Sequence, residues 1–249
     1  MNASELSASD RGSHSTPALY DAIAGIYDPW SASVTEDIAY YVETSLDSAG
    51  PVVELACGTG RIAVPIAKAG RRVIGVDQSA AMLDMARAYA EREGVGARLD
   101  LRLGDVCAPP VPERVPLALC PFRSLLHLED DAEKLRALRA AASLLEPGGR
   151  FVFDVFAPSR EDIEETDGRW LEREPGIWER ADWDEAAHTL VLSVRSGVAE
   201  VSFSLHWLDH RSWERLILEA GLVVESLHGW FDRRPFSGGE DMIWVCRRP

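Results

Sequence analysis

The residues able to do chemistry fall into a few groups. A glycine turn, Cys57-Gly58-Thr59-Gly60, is completed by Ala63 into a Gly-x-Gly-x-x-Ala spacing. Glycines let backbone approach a ligand closely, and the helix that follows offers unpaired N–H groups. A tight strand–helix turn without a ligand would use the same residues. Carboxylates stand at Glu54, just before the turn, at Asp77, which ends a short apolar run, and at Asp105, which follows an alternating Leu-Asp-Leu-Arg-Leu segment. Beyond a fourth segment come Arg123 and His127. A guanidinium can grip a substrate carboxylate in a fork, and an imidazole can take a proton near neutral pH. The competing readings are an ion pair of Arg123 with Glu129 or Asp130, and a histidine packed beside Leu126 and Leu128. The four cysteines, Cys57, Cys107, Cys120 and Cys246, form no CxxC pair and no His/Cys cluster with zinc spacing. No metal site is expected, and a reduced, cytoplasmic protein is the economical reading.

These groups need a scaffold, and the apolar pattern supplies one. Helical spacing covers 17–28 and 34–48, with Pro29 expected to separate the two. Strands follow at 52–55, 72–76, 99–103, 117–120 and 150–156. Between them lie helices at 61–69, 79–93 and 129–145, stopped or capped by Gly70, Ser79 and Gly94. Strands alternating with helices of this length predict an α/β, doubly wound parallel sheet, whose ligands bind beyond the carboxyl ends of the strands. That rule places the Gly58 turn, Asp77, Asp105 and the segment after Cys120 on one rim. After Phe156 the alternation lapses. Residues 159–167 read as a short helix or loop, and 176–184, 189–195 and 198–207 as an antiparallel sheet over the rim. Asp209 caps a helix through Ala220, and strands at 222–227 and 242–246 close the chain. The expected organisation is a disordered tail at 1–16, a main domain from 17–158 and 209–249, and an inserted substrate lid at 159–208.

Bulk properties narrow the class. The chain has 249 residues, 46% hydrophobic and 27% charged, with a net charge of −15. This is globular composition, without an apolar run long enough to span a membrane. Strong negative charge argues against nucleic acid as a partner. Whether the protein is a monomer or homodimer is left open.

Glu54-Leu-Ala-Cys-Gly-Thr-Gly-Arg61, then Gly75-Val76-Asp77-Gln78-Ser79, Gly104-Asp105-Val106, the run Pro121 to Leu128, and Glu146-Pro147-Gly148-Gly149 occur in one order over residues 52–156. That order resembles the class I S-adenosylmethionine-dependent methyltransferases. The resemblance implies a Rossmann-like seven-stranded sheet with an antiparallel final strand, an N-terminal helical lid and S-adenosylmethionine as cofactor. It implies that Asp77 accepts both ribose hydroxyls and that Asp105 and Val106 contact adenine. Glu54 and the Gly58–Gly60 backbone would lie near the methionyl end. Ala56, Arg61, Gln78, Met82, Pro121, Tyr20 and Tyr27 would complete the cofactor site. The inserted strands are similar to those of aminosugar and glycine N-methyltransferases; in the aminosugar enzymes a histidine after strand 4 matches His127, here the candidate base. Trp30, Arg123, His206 and Trp207 are the candidate substrate contacts. The glycine spacing alone also fits a nicotinamide-dependent oxidoreductase, and a non-catalytic S-adenosylmethionine-binding protein is a further reading.

Overall fold

The computed structural model describes Tyr20, residues 27–30 and residues 33–249; the expected tail at 1–16 lies outside these. Seven strands form the main sheet: β1 (Val52–Leu55), β2 (Val73–Asp77), β3 (Leu99–Leu103), β4 (Val115–Cys120), β5 (Leu145–Phe156), β10 (Val223–His228) and β11 (Asp241–Arg247). Their order is β10-β11-β5-β4-β1-β2-β3, and β11 runs antiparallel to both of its neighbours. Burial on both faces explains why β1 and β4 are apolar apart from Glu54 and Pro116. Alternate residues supply opposite layers. Val53, Leu55 and Phe151 pack with α4 (Asp131–Leu144) and α6 (His210–Glu219). Val52, Leu117 and Val152 pack with α1 (Glu36–Leu46) and α2 (Ala63–Lys68). The helix α3 (Ala80–Arg92) opens on the Ser79 side chain, which accepts the Met82 N–H at 3.1 Å.

A second sheet, inserted between β5 and α6, follows a short helix, α5 (Arg160–Thr166). It is antiparallel, in the order β6 (Trp170–Glu174), β7 (Ile177–Asp184), β8 (Thr189–Ser196) and β9 (Ala199–His206).

Several boundaries differ from the sequence expectation. Residues 27–30 are helical, so Pro29 lies within that turn instead of ending it. Pro116 sits inside β4, where the register to β5 shifts between Val115 and Leu117, so the ladder does not need its missing N–H. β5 starts at Leu145, ahead of the expected turn, and β6 was not expected. Among the described residues no helix is long and apolar enough to cross a membrane.

Candidate active site

The carboxyl ends of the main strands open beneath the second sheet into a cavity of about 1020 Å³. Ala56 and Gly58 follow β1, Asp77 and Gln78 end β2, Asp105 and Val106 follow β3, and Phe122 to Leu128 follow β4. The roof is built from cross-strand rows, Ala181–Leu192–Phe203 and Trp183–Leu190–Leu205, all of which line the cavity. Tyr20, Tyr27 and Trp30 line it too. Glu179 accepts the Trp30 indole N–H at 3.1 Å.

The glycine turn is wound left-handed, with φ of 55° at Ala56, 53° at Gly58 and 82° at Gly60. Asp77 braces it. One carboxylate oxygen accepts the Gly58 N–H at 2.8 Å and the other the Ser79 N–H at 2.9 Å. Nothing stands within 4 Å of where a Gly58 Cβ would point, whereas one at Gly60 would meet Val64 at 3.1 Å and Ala86 at 3.3 Å. Gly60 therefore lets α2 and α3 close, and it lines neither the cavity nor the small recess beside it.

The recess is lined by Glu54, Arg61, Pro121 and Phe122 among others. Glu54 is buried, and its Oε2 has no hydrogen-bond partner. Burial pushes its carboxyl well above the usual range, against the pull of Arg61. Arg61 itself is committed to other partners. Its guanidinium donates to both oxygens of buried Asp37, at 2.8 and 2.5 Å, and to the Val34 carbonyl at 3.1 Å. It also lies 4.4 Å from the centre of the Phe122 ring.

Phe122 and Arg123 are both left-handed, with φ of 59° and 61°. Their N–H groups reach the two oxygens of Asp154 at 2.8 and 3.1 Å. The Arg123 guanidinium pairs with Asp241 at 2.9 Å and covers the Phe156 ring. Its partner is thus neither a free substrate carboxylate nor the expected Glu129 or Asp130.

His127 ends a short 3-10 turn, Ser124–His127, and lines the cavity. Its Nε2 lies 2.7 Å from the Tyr20 hydroxyl, and its ring 5.3 Å from that of Phe203. Burial, with His206 and Lys134 nearby, pushes its pKa down to about 4. The buried Lys134 ammonium donates to the Leu128 carbonyl, fixing the far end of the same segment. Desolvation pushes that ammonium down to about 8.

Met82 is buried in the cavity wall, and Gln78 and Asp105 are exposed on its rim. His206 and Trp207 do not line the cavity. Phe203 and Leu205 face it, so strand alternation turns His206 to the other side of β9. Trp207 is buried instead against Trp183 and stacked on His188. Their expected place as substrate contacts is corrected. The residues missed were Asp37, Asp154, Glu179 and Phe203. A signal existed for two: a carboxylate interrupting the apolar run Phe151 to Phe156, and the alternation that puts Phe203 inward.

Comparison with known proteins fits this geometry. Residues 52–149 match the family described as "Methyltransferase domain". The CcbJ methyltransferase of Streptomyces caelestis superimposes with a TM-score of 0.81 at 29% identity, covering 92% of this chain and 98% of that one. An amino pentose methyltransferase of Micromonospora echinaspora, solved with S-adenosylmethionine bound, gives 0.63 at 19% identity over 90% and 97%; at that identity it speaks for the fold. Ubiquinone biosynthesis O-methyltransferase of Serratia proteamaculans is 32% identical over 104 residues, 42% of each chain. The chain spans about half the length of the curated relatives it matches.

Proposed function

We propose, from the premise that the chain carries a class I S-adenosylmethionine-dependent methyltransferase domain, that it transfers a methyl group to nitrogen or oxygen of a small molecule in specialised metabolism. The observation that carries this reading is Glu54. A buried carboxylate oxygen without a partner, beside a glycine turn with open space at Gly58, fits the ammonium of the cofactor's methionyl end. A bound cation there would draw the Glu54 carboxyl back toward its charged form. Asp77, at the end of β2 where the resemblance puts the acceptor for both ribose hydroxyls, also braces the turn through the Gly58 and Ser79 N–H groups. Asp105 and Val106 flank the adenine, and Gln78 and Met82 complete the wall.

When bound, S-adenosylmethionine supplies a methyl group on a positively charged sulfonium. The protein's part is alignment and exclusion of water. Tyr20, Tyr27 and Trp30 present ring faces suited to a cation, and the apolar roof desolvates the acceptor. Holding acceptor and methyl carbon in line can account for most of the acceleration. His127, uncharged and fixed by Tyr20, orients the acceptor's proton. The names of two similar proteins, an amino pentose methyltransferase and a ubiquinone biosynthesis O-methyltransferase, support a small-molecule acceptor. The net charge of −15 supports the exclusion of nucleic acid, and four free cysteines suit a reducing compartment.

Calorimetric titration with S-adenosylhomocysteine tests the cofactor site. Charge-assisted hydrogen bonds are worth roughly 1.5–3 kcal/mol each, so Asp77→Ala should weaken binding at least about tenfold. Equal affinity in parent and variant would remove Asp77 from the site. Methyl-group mass shifts across a panel of amines, phenols and hydroxylated rings would then identify the acceptor class.

A further inference from the structure

We propose that Asp154 is a positioning residue: by accepting the N–H groups of Phe122 and Arg123, it sets the turn after β4 that brings Phe122 to the cofactor recess and His127 to the acceptor side. The inference rests on the cofactor reading above and assigns a role to a residue that reading does not use.

The turn places two consecutive side-chain-bearing residues in the left-handed region, with φ of 59° and 61°. L residues visit that region rarely, and almost always singly. Two in succession persist only where the surroundings over-determine them. Here both amide groups of the turn are received by one carboxylate, one on each oxygen, at 2.8 and 3.1 Å. Asp154 is itself aimed from α1, where the Tyr41 hydroxyl donates to it at 2.5 Å.

Packing alone gives no reason for a carboxylate there. Asp154 is 5% exposed and lies between buried Phe153 and Val155 on a central strand. Burial pushes its carboxyl up to about 6, so the fold bears an unfavourable charge at neutral pH. Buried groups carrying such a penalty cluster at functional sites.

The turn controls two side chains of the site. The Phe122 ring lines both the cavity and the recess, 4.4 Å below the Arg61 guanidinium and 6.3 Å from the Tyr27 ring. At the far end of the segment, Lys134 holds the Leu128 carbonyl. His127 thus sits on a span anchored by a buried anion at one end and a buried cation at the other.

The experiment titrates S-adenosylhomocysteine into the parent, Asp154→Asn and Tyr41→Phe, with amide hydrogen exchange followed in each. An amide side chain cannot accept at both positions, so Asp154→Asn should bind at least about tenfold more weakly. Its exchange should quicken within 121–128 and stay at parental rates in 52–56 and 73–79. Tyr41→Phe, which keeps both turn contacts, should lose less than about threefold. An equal loss in Tyr41→Phe, or exchange that quickens across β1 and β2 as well, would overturn the inference in favour of general fold support. Failure of the parent to bind overturns the cofactor reading and this inference with it. Tight binding by both parent and Asp154→Asn overturns this inference alone. Should Asp154→Asn not fold, the parent's exchange decides: slow amides at both Phe122 and Arg123 support the role, and fast exchange at either refutes it.

Discussion

His127 carries no charge in this site at neutral pH. Its folded value, about 4, lies below the ordinary 6.5 because burial disfavours the imidazolium. A base held that low is a weak proton acceptor, so its contribution should fall at the bottom of the roughly 10²–10⁴-fold range of positioned acid–base groups, or below it. With an acceptor in hand, His127→Ala should slow single turnovers about tenfold and change S-adenosylhomocysteine affinity less than about twofold; a variant as fast as the parent would return His127 to packing. The linkage sign follows from the depressed value. The stability contributed by the neutral imidazole is present above 6.5 and is lost as pH falls from there through about 4. Urea midpoints at about pH 7 and 4.5 should therefore drop further in the parent than in His127→Gln, and parallel drops would contradict the assignment.

At the scale of elements, the glycine turn divides its labour. Gly60 serves the closure of α2 on α3, and Gly58 leaves room for a ligand. An alanine at either position bears a left-handed penalty of about 1–2 kcal/mol. Gly60→Ala must also move Val64 and Ala86, so it should lose more stability in urea than Gly58→Ala. Gly58→Ala should lose more cofactor affinity, and the reverse ranking would show that the division is wrong. The sequence made the first five strands readable because β1, β2, β4 and the end of β5 are mostly buried and apolar, and β3 alternates leucine with charge. The rim places of Asp77, Asp105 and the segment after Cys120 followed from the order of the elements, and His127 from the family resemblance. β6 was missed because Leu171, Glu172 and Arg173 are exposed and carry no alternation. His206 and Trp207 were misplaced because the choice between the two faces of β9 depends on what the sheet covers. Long-range partners such as Asp37 for Arg61 and Asp241 for Arg123 leave no trace in local spacing.

For the molecule as a whole, charge and ligand chemistry must agree. The net charge is −15, and the cavity lining carries Glu36, Asp37, Asp77, Asp105, Glu129, Glu133, Asp154, Asp162, Glu179 and Glu240 against Arg123, Arg136, Arg169 and Arg173. Arg61, the cation nearest the glycine turn, is taken up by Asp37. Such a lining suits a cofactor with a positive sulfonium and no phosphate, and it repels the diphosphate of a nicotinamide dinucleotide. Binding to the folded state alone stabilises by about 2.7 kcal/mol at a ligand concentration of 100 Kd. In a chain of this length 1 kcal/mol moves the melting midpoint about 2–4 °C. S-adenosylhomocysteine at that ratio should therefore raise Tm by roughly 5–10 °C, whereas NADH at the same concentration should move it by less than about 1 °C. Because the two ligands share an adenosine, their difference reports on what lies beyond the adenine pocket: homocysteine in one, diphosphate and nicotinamide riboside in the other. A comparable shift with NADH would mean that the Gly58 turn accepts a diphosphate despite the acidic lining, and the oxidoreductase reading would then displace methyl transfer.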